Sequence, residues 1–212
     1  MSEVLGVVLA GGENRRYGGH KALEALGDKR IIDRVIDALS AAVDDVTLVA
    51  NDAGLYGTIG LDVRPDLVRG LGVLGGIFTA VSWAAERSCR AALVAACDMP
   101  FLSSPLLREL TTRAEPDAVT LPASRGPRGF EPLCAVYGVE CRKEFEVALG
   151  RGDRSVVSAL ANVETRIMPL ETVETYGDPD LLFLNVNRPE DRKRAEALLI
   201  AGFPEGRTGA RG

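Results

Sequence analysis

The sequence predicts an α/β chain: a three-layer α/β/α arrangement around a mainly parallel (mixed) central sheet. Short unbroken apolar runs, such as Val4 to Leu9 and Ala91 to Ala96, read as strands with both faces covered. Helical spacings alternate with these runs through the first half of the chain. Glycines cluster in two loops, 11–19 and 70–76, where backbone geometry rather than flexibility is being specified.

Each element follows in order. Val4 to Leu9 opens the sheet and runs into the first glycine loop. Ile31, Ile32, Val35, Ile36 and Leu39 recur at helical spacing. Val46 to Val49 is a second strand, ending at Ala50-Asn51, and Leu61 to Val63 a short third. Past the second glycine cluster, Ile77, Ala80, Val81 and Ala84 mark a helix. Ala91 to Ala96 is a buried strand stopped by Cys97-Asp98-Met99-Pro100. A helix through Leu106, Leu107 and Leu110 follows, with Ser103 or Ser104 as N-cap and Pro105 in its first turn. Ala118 to Leu121, Leu133 to Tyr137 and Glu164 to Met168 read as strands, and Leu181 to Leu184 as one more. Pro189 opens a last helix, Glu190 to Ile200.

Composition sets outer bounds. The 212 residues are 46% hydrophobic and 26% charged, a globular balance that can bury a large core. We read one domain over 1–202 and a loose tail over 203–212, where glycine, proline and arginine show no periodicity. A formal net charge of −5 argues against nucleic acid or an anionic membrane as partner. No apolar run reaches the roughly eighteen residues a bilayer span requires. Met1-Ser2-Glu3 lacks a basic leader region, so the expected location is cytoplasmic. The four cysteines form no C-x-x-C pair and His20 is the single histidine, so a zinc site is not expected. The cysteines read as small core residues of a reducing compartment.

In an open α/β sheet, ligands bind beyond the carboxyl ends of the strands. The loop after the first strand runs Leu9-Ala10-Gly11-Gly12, then Arg15-Arg16-Tyr17-Gly18-Gly19-His20-Lys21. Paired glycines let backbone N–H groups approach an oxyanion, and the cations neutralise it. The chemistry suggested is a phosphate cradle; the plain alternative is a glycine-rich turn with solvated cations. It is not a P-loop, because His20-Lys21-Ala22 supplies neither the preceding glycine nor the hydroxyl for magnesium. Gly70-Leu71-Gly72-Val73-Leu74-Gly75 matches G-x-G-x-x-G, but Arg64 to Arg69 separates it from its strand, so a dinucleotide site there is a weak reading. The cluster is better read as a close-packed lead into a helix, with Asp66 facing the same crevice.

Asp98 is the sharpest single residue. A carboxylate at a strand's carboxyl end, opposite a phosphate loop, is where magnesium would be held, using one or two carboxylates plus substrate phosphates. The alternative is an N-cap, for which Ser103 and Ser104 are better placed. Alternation puts Asn185 and Asn187 on one face, where their amides could meet a polar ring or phosphate, or merely form a turn before Arg188-Pro189. Arg125 and Arg128 sit in a glycine-rich loop that reads equally as a substrate lid or a hairpin.

Taken together, Leu9 to Gly12 with Arg15, Arg16 and Lys21, Asp66 before a glycine turn, and Cys97-Asp98-Met99-Pro100-Phe101-Leu102 resemble the nucleotidyltransferases of the molybdenum cofactor guanylyltransferase type. Glu131 to Tyr137, Gly152-Asp153-Arg154-Ser155 and Leu184 to Asp191 agree, so the resemblance spans about residues 4 to 200. It implies a Rossmann-like nucleotidyltransferase fold. It also implies transfer of GMP from magnesium-bound GTP to the terminal phosphate of molybdenum-bearing molybdopterin, releasing pyrophosphate. Carried over by position, Leu9, Ala10, Gly11 and Gly12 would lie against the nucleotide, and Lys21 would bind its phosphates. Asn51 and Asp66 would contact base and ribose, Asp98 would hold Mg2+, and Asn185 and Asn187 would face molybdopterin. Arg15 and Arg16 would meet the leaving pyrophosphate, Arg16 counting with Lys21 and Asp98 as catalytic. Molybdenum-cofactor biosynthesis proteins or apo-molybdoenzymes are the implied protein partners. The double-glycine loop favours guanine over cytosine. His20 before Lys21 and Val73 in the second cluster depart from the usual pattern without removing a ligand. The rivals are a relative using another nucleotide or acceptor (CMP to molybdopterin, or a nucleotide to a sugar phosphate), a non-catalytic nucleotide-binding module, and an NAD-dependent dehydrogenase resting on residues 70–75.

Overall fold

The computed structural model describes residues 3–11 and 21–202; the tail 203–212, expected to be loose, lies outside them. In chain order come β1 (Val4–Leu9), a small hairpin of β2 (Ala25–Leu26) and β3 (Lys29–Arg30), α1 (Ile31–Ser40), β4 (Val46–Val49), β5 (Asp62–Arg64), α2 (Gly72–Glu86) and β6 (Ala91–Ala96). Then follow α3 (Ser104–Thr112), β7 (Ala118–Pro122), β8 (Cys134–Gly138), α4 (Arg142–Gly150), α5 (Val156–Leu160), β9 (Glu164–Met168), α6 (Leu170–Glu174), α7 (Pro179–Leu182) and α8 (Pro189–Ile200).

The large sheet has the order β5-β4-β1-β6-β8-β7-β9. β1 pairs in parallel with β4 and β6, β4 with β5, and β7 with β9, while β8 runs antiparallel to both β6 and β7. This is the mixed, mainly parallel sheet the apolar runs predict. Every residue of β1 and of β6 is buried, because each strand supplies both faces of the core. Val4 and Val8, with Ala91, Leu93 and Ala95, pack under α1 and α3. Leu5, Val7 and Leu9, with Ala92 and Val94, pack under α2, α4 and α5. Alternation along the strand thus divides one apolar run between two helical layers.

Two differences from the sequence reading have physical causes. Leu181–Leu184 is not a strand: α7 begins at Pro179, where Asp178 accepts the Asp180 N–H and proline presets the first turn. A short apolar run does not distinguish a strand from a buried helical turn. Helix α2 starts at Gly72, well before the apolar spacing at Ile77, because three glycines, Gly72, Gly75 and Gly76, interrupt the apolar pattern of its first turns. Gly70 and Gly72 have φ of +79° and +66°, a backbone region that a side chain disfavours, and they turn the chain from β5 into the helix. For α3, Ser103 is the cap by position, but its hydroxyl makes no capping hydrogen bond.

The chain goes from β1 outward to β4 and β5, then crosses to β6 on the other side of β1. The loops after β1 and β6 therefore flank a topological switch point, where such sheets open a crevice. Helix α8 closes this end from outside. Its Ala195 packs with Leu26, Ile31, Phe101 and Val186, and Arg192 Nη1 donates to Glu24 Oε2 at 3.0 Å, just past Lys21.

Candidate functional site

A cleft of about 820 Å³ opens at the switch point. Leu9, Ala10, Gly11, Lys21, Asn51, Asp66 and Asp98, all singled out from the sequence, line it together. Gly12, Arg15 and Arg16 lie outside the described residues, as does His20. Asn185 and Asn187 do not line the cleft; Asn187 stands at its edge by accepting from Lys21, whereas the Asn185 amide turns back to Phe183 O.

The Ala10 N–H donates to Val49 O at 2.9 Å, and the Cys97 N–H to Leu9 O at 3.1 Å. These bonds carry strand pairing one step past the sheet and fix where both loops begin. Asp98 is buried, and its Oδ2 accepts from Lys21 Nζ at 2.6 Å, both side chains being less than a fifth exposed. Lys21 leads a single helical turn, Lys21–Leu23, and also donates to Asn187 Oδ1 at 2.6 Å. The Val186 N–H donates to Asp98 O at 2.9 Å, docking the segment before α8 onto the loop after β6.

Across the cleft, Asn51 and Asp66 form a reciprocal pair. Asn51 Nδ2 donates to Asp66 Oδ2 at 2.7 Å, and the Asp66 N–H donates to Asn51 Oδ1 at 3.2 Å. Asp66 Oδ1 is buried without a hydrogen-bond partner. An orphan carboxylate oxygen beside an open cleft is an acceptor with unused capacity. The next residue is tied to α2, since the Leu67 N–H donates to Thr79 Oγ1 at 3.0 Å.

Several cleft residues are not among the site residues singled out from the sequence. Tyr56 lies in a short helical turn after β4, and its hydroxyl makes a long hydrogen bond of 3.5 Å to Ala10 O. Burial, with Cys97 and Asp52 nearby, pushes its phenol up to about 12. Leu133 comes from the lead into antiparallel β8, and Gly76 from the first turns of α2. Arg154 is aimed by a turn in which Asp153 Oδ1 accepts the Ser155 N–H at 2.8 Å, and Ser155 then caps α5. The sequence marks Arg154 only as part of the Gly152-Asp153-Arg154-Ser155 segment of the resemblance, with no role assigned to it. Cys97 also lines the cleft; burial and Asp98 raise its thiol to about 12, against the pull of Lys21, which favours the protonated form. All four cysteines are free, and Cys97 alone is not fully buried.

Arg125 is turned away from the cleft. It is held by Glu174, Asp178 and Asp180 at 2.6, 2.7 and 3.2 Å, which fastens its hairpin to α6 and α7. Arg128 instead acts on Glu131, whose carboxyl is raised by burial and by Asp98 and lowered by the Leu133 N–H and Arg128.

Among the described residues no cluster of three or more His, Cys, Asp or Glu could hold a metal by itself. Asp98 nevertheless fits a magnesium ion carried in with phosphates. It is a buried carboxylate already compensated by a cation, and magnesium commonly takes only one or two protein carboxylates. No helix among the described residues is long and apolar enough to cross a membrane.

The model of the MobA-like NTP transferase domain matches residues 6–165 of this chain. A molybdenum cofactor guanylyltransferase of Desulfosudis oleivorans is 35% identical over 205 residues, covering 95% of this chain and 98% of the relative. A probable molybdenum cofactor guanylyltransferase of Pelotomaculum thermopropionicum is 34% identical, covering 93% and 94% respectively. The crystal structure of molybdopterin-guanine dinucleotide biosynthesis protein A from Archaeoglobus fulgidus superimposes with a TM-score of 0.76 at 28% identity, covering 93% of this chain and 99% of that one.

Proposed function

Because the chain belongs to the MobA-like NTP transferase family, we propose that it is a molybdenum cofactor guanylyltransferase. It transfers GMP from GTP to the terminal phosphate of molybdenum-bearing molybdopterin, giving molybdopterin guanine dinucleotide and pyrophosphate. The observation that carries this reading is the placement of Lys21 and Asp98, 2.6 Å apart, at the crevice between the loops after β1 and β6. A carboxylate and an ammonium there suit a polyphosphate brought with a divalent cation.

The reaction joins two anions. An oxygen of the acceptor phosphate bonds to the α-phosphorus of GTP as the bond to the bridging α–β oxygen breaks, and the electron pair leaves with pyrophosphate. The barrier is mostly charge repulsion and alignment, so a protein nucleophile is not required. With the Ala10 N–H spent on Val49 O, the backbone N–H groups of Gly11 and Gly12 would hold the phosphates, and Lys21 would neutralise charge on them. Asp66, with its unpartnered Oδ1, would accept from donors on the base or ribose, held by Asn51. Arg154, which lines the cleft, and Arg15 and Arg16, which follow Gly12 in the sequence, would supply cations for the leaving group or acceptor. Asp98 would hold Mg2+ arriving with the nucleotide, and the ion would supply further neutralisation of charge. Four free thiols suit a reducing cytoplasm.

The test is pyrophosphate release on mixing the protein with molybdenum-bearing molybdopterin, Mg2+ and each of GTP, CTP, ATP and UTP in turn. GTP is expected to be used and bound best. Tighter binding of CTP would overturn the guanine assignment, and release without molybdopterin dependence would overturn the acceptor.

A further inference from the structure

We propose that Asn187 is a positioning residue for Lys21 on the nucleotide side of the reaction, an inference that rests on the guanylyltransferase reading above. A lysine ammonium has three donors on a flexible stem. Two of those donors are spent in this fold, one on Asp98 Oδ2 and one on Asn187 Oδ1, each at 2.6 Å. The third is left for a phosphate.

Asn187 is fixed for that task from both sides. The Val186 N–H is bonded to Asp98 O, and the Val186 side chain is buried. The N–H groups of Asn187 and Arg188 both donate to Asp191 Oδ2, at 2.9 and 2.8 Å, in the first turn of α8. Neighbouring Asn185 does not share the task, since its Nδ2 turns back to Phe183 O at 3.1 Å.

The residue type matters. When a divalent cation draws on the Asp98 carboxylate, Lys21 loses charge from that partner. Asn187 is the neutral acceptor that keeps the ammonium in place. A carboxylate in its stead would compete with the phosphates for Lys21 and repel the nucleotide. Asn187 Nδ2 has no partner among the described residues, so a contact on the acceptor side remains open to it.

The test is a double-mutant cycle read by equilibrium binding of GTP with Mg2+, without acceptor, to the full chain. Wild type, Asn187→Ala, Lys21→Ala and the double variant are compared. Asn187 is exposed, so its truncation is expected to leave the unfolding midpoint in place. Asn187→Ala should weaken binding about tenfold, the scale of a lost hydrogen bond to a charged group. The double variant should bind no more weakly than Lys21→Ala alone, because Asn187 acts through Lys21. Full additivity in the double variant would overturn the proposal, by showing that Asn187 touches nucleotide or metal directly. So would unchanged affinity in Asn187→Ala accompanied by a raised KM for molybdopterin alone. Failure of the wild type to bind GTP would instead overturn the guanylyltransferase reading, and this inference with it.

Discussion

Lys21 and Asp98, 77 positions apart in the chain, meet at 2.6 Å where the loops after the two central parallel strands converge. Asp98→Ala removes the carboxylate but leaves Lys21 its bond to Asn187, so the ammonium is not stranded without a partner. The variant is expected to fold, with turnover lowered by about a hundredfold or more, the scale of losing a positioned divalent cation. Pyrophosphate release across a magnesium titration measures this. Wild-type magnesium dependence in the variant would sink the assignment of Asp98 to the metal.

Asn51 and Asp66 hold each other through two hydrogen bonds, one in each direction. Asn51→Asp replaces the Nδ2 donor, 2.7 Å from Asp66 Oδ2, with a second carboxylate oxygen. Like charges at that range repel strongly, and one of the pair must take up a proton or move away. GTP affinity is expected to fall at least about tenfold at neutral pH and to recover in part on acidification. Isothermal titration at two pH values would decide it; an unchanged affinity at both would remove Asp66 from the nucleotide site.

How much of this was legible beforehand depended on where a residue sits relative to a parallel strand. The unbroken apolar runs of β1 and β6 placed Leu9 to Gly11 and Asp98 at strand ends, and strand ends are where the cleft opens. Asn51 and Asp66 follow β4 and β5 in the same way. Tyr56, Leu133 and Arg154 reach the cleft from a helical turn, the lead into an antiparallel strand and a turn before α5, so no strand-end rule points to them. The beginning of α2 was hidden because Gly72 to Gly76 reads as loop by composition, although the structure uses that segment as helix. Leu181 to Leu184 misled for the converse reason: four apolar-rich residues fit a strand and a helical turn equally well.

Glu131 lends the fold a pH dependence of known sign. Burial holds its carboxyl above the ordinary glutamate range, so the folded chain keeps that proton to higher pH than the unfolded chain does. Stability from this position is complete below the ordinary glutamate pKa and is lost as pH rises through the raised value. Glu131→Gln keeps an oxygen to accept the Leu133 N–H, which lies 3.0 Å from Oε1, and carries no charge. It should match the wild type in acid and unfold at a higher temperature at neutral pH. Thermal melts across that range test it, and an equal gap at every pH would show that the buried charge is not the cause.

Gly76 lines the cleft on the side of α2. An added Cβ there would lie 3.4 and 3.5 Å from the two methyls of Leu9 and 3.8 Å from Asp66 Oδ1. The first two neighbours are the ends of a flexible side chain, so alanine can be accommodated. It also removes a helix-interior glycine, which costs about 1 kcal/mol relative to alanine. Gly76→Ala is therefore expected to fold at least as stably as the wild type. Gly76→Val adds two methyl groups beyond that Cβ, into the wall of the cleft between Leu9 and the unpartnered oxygen of Asp66. Its fold should survive, because the nearest neighbours are the flexible end of Leu9 and the cleft-lining Asp66 rather than backbone. Its affinity for GTP should fall by roughly tenfold or more, since overpacking a contact surface costs about 1–3 kcal/mol. Binding and melting curves for the two variants separate the effects. If Gly76→Val holds GTP as tightly as the wild type while remaining folded, the nucleotide does not lie against this wall, and Asp66 Oδ1 must find its donor from another ligand.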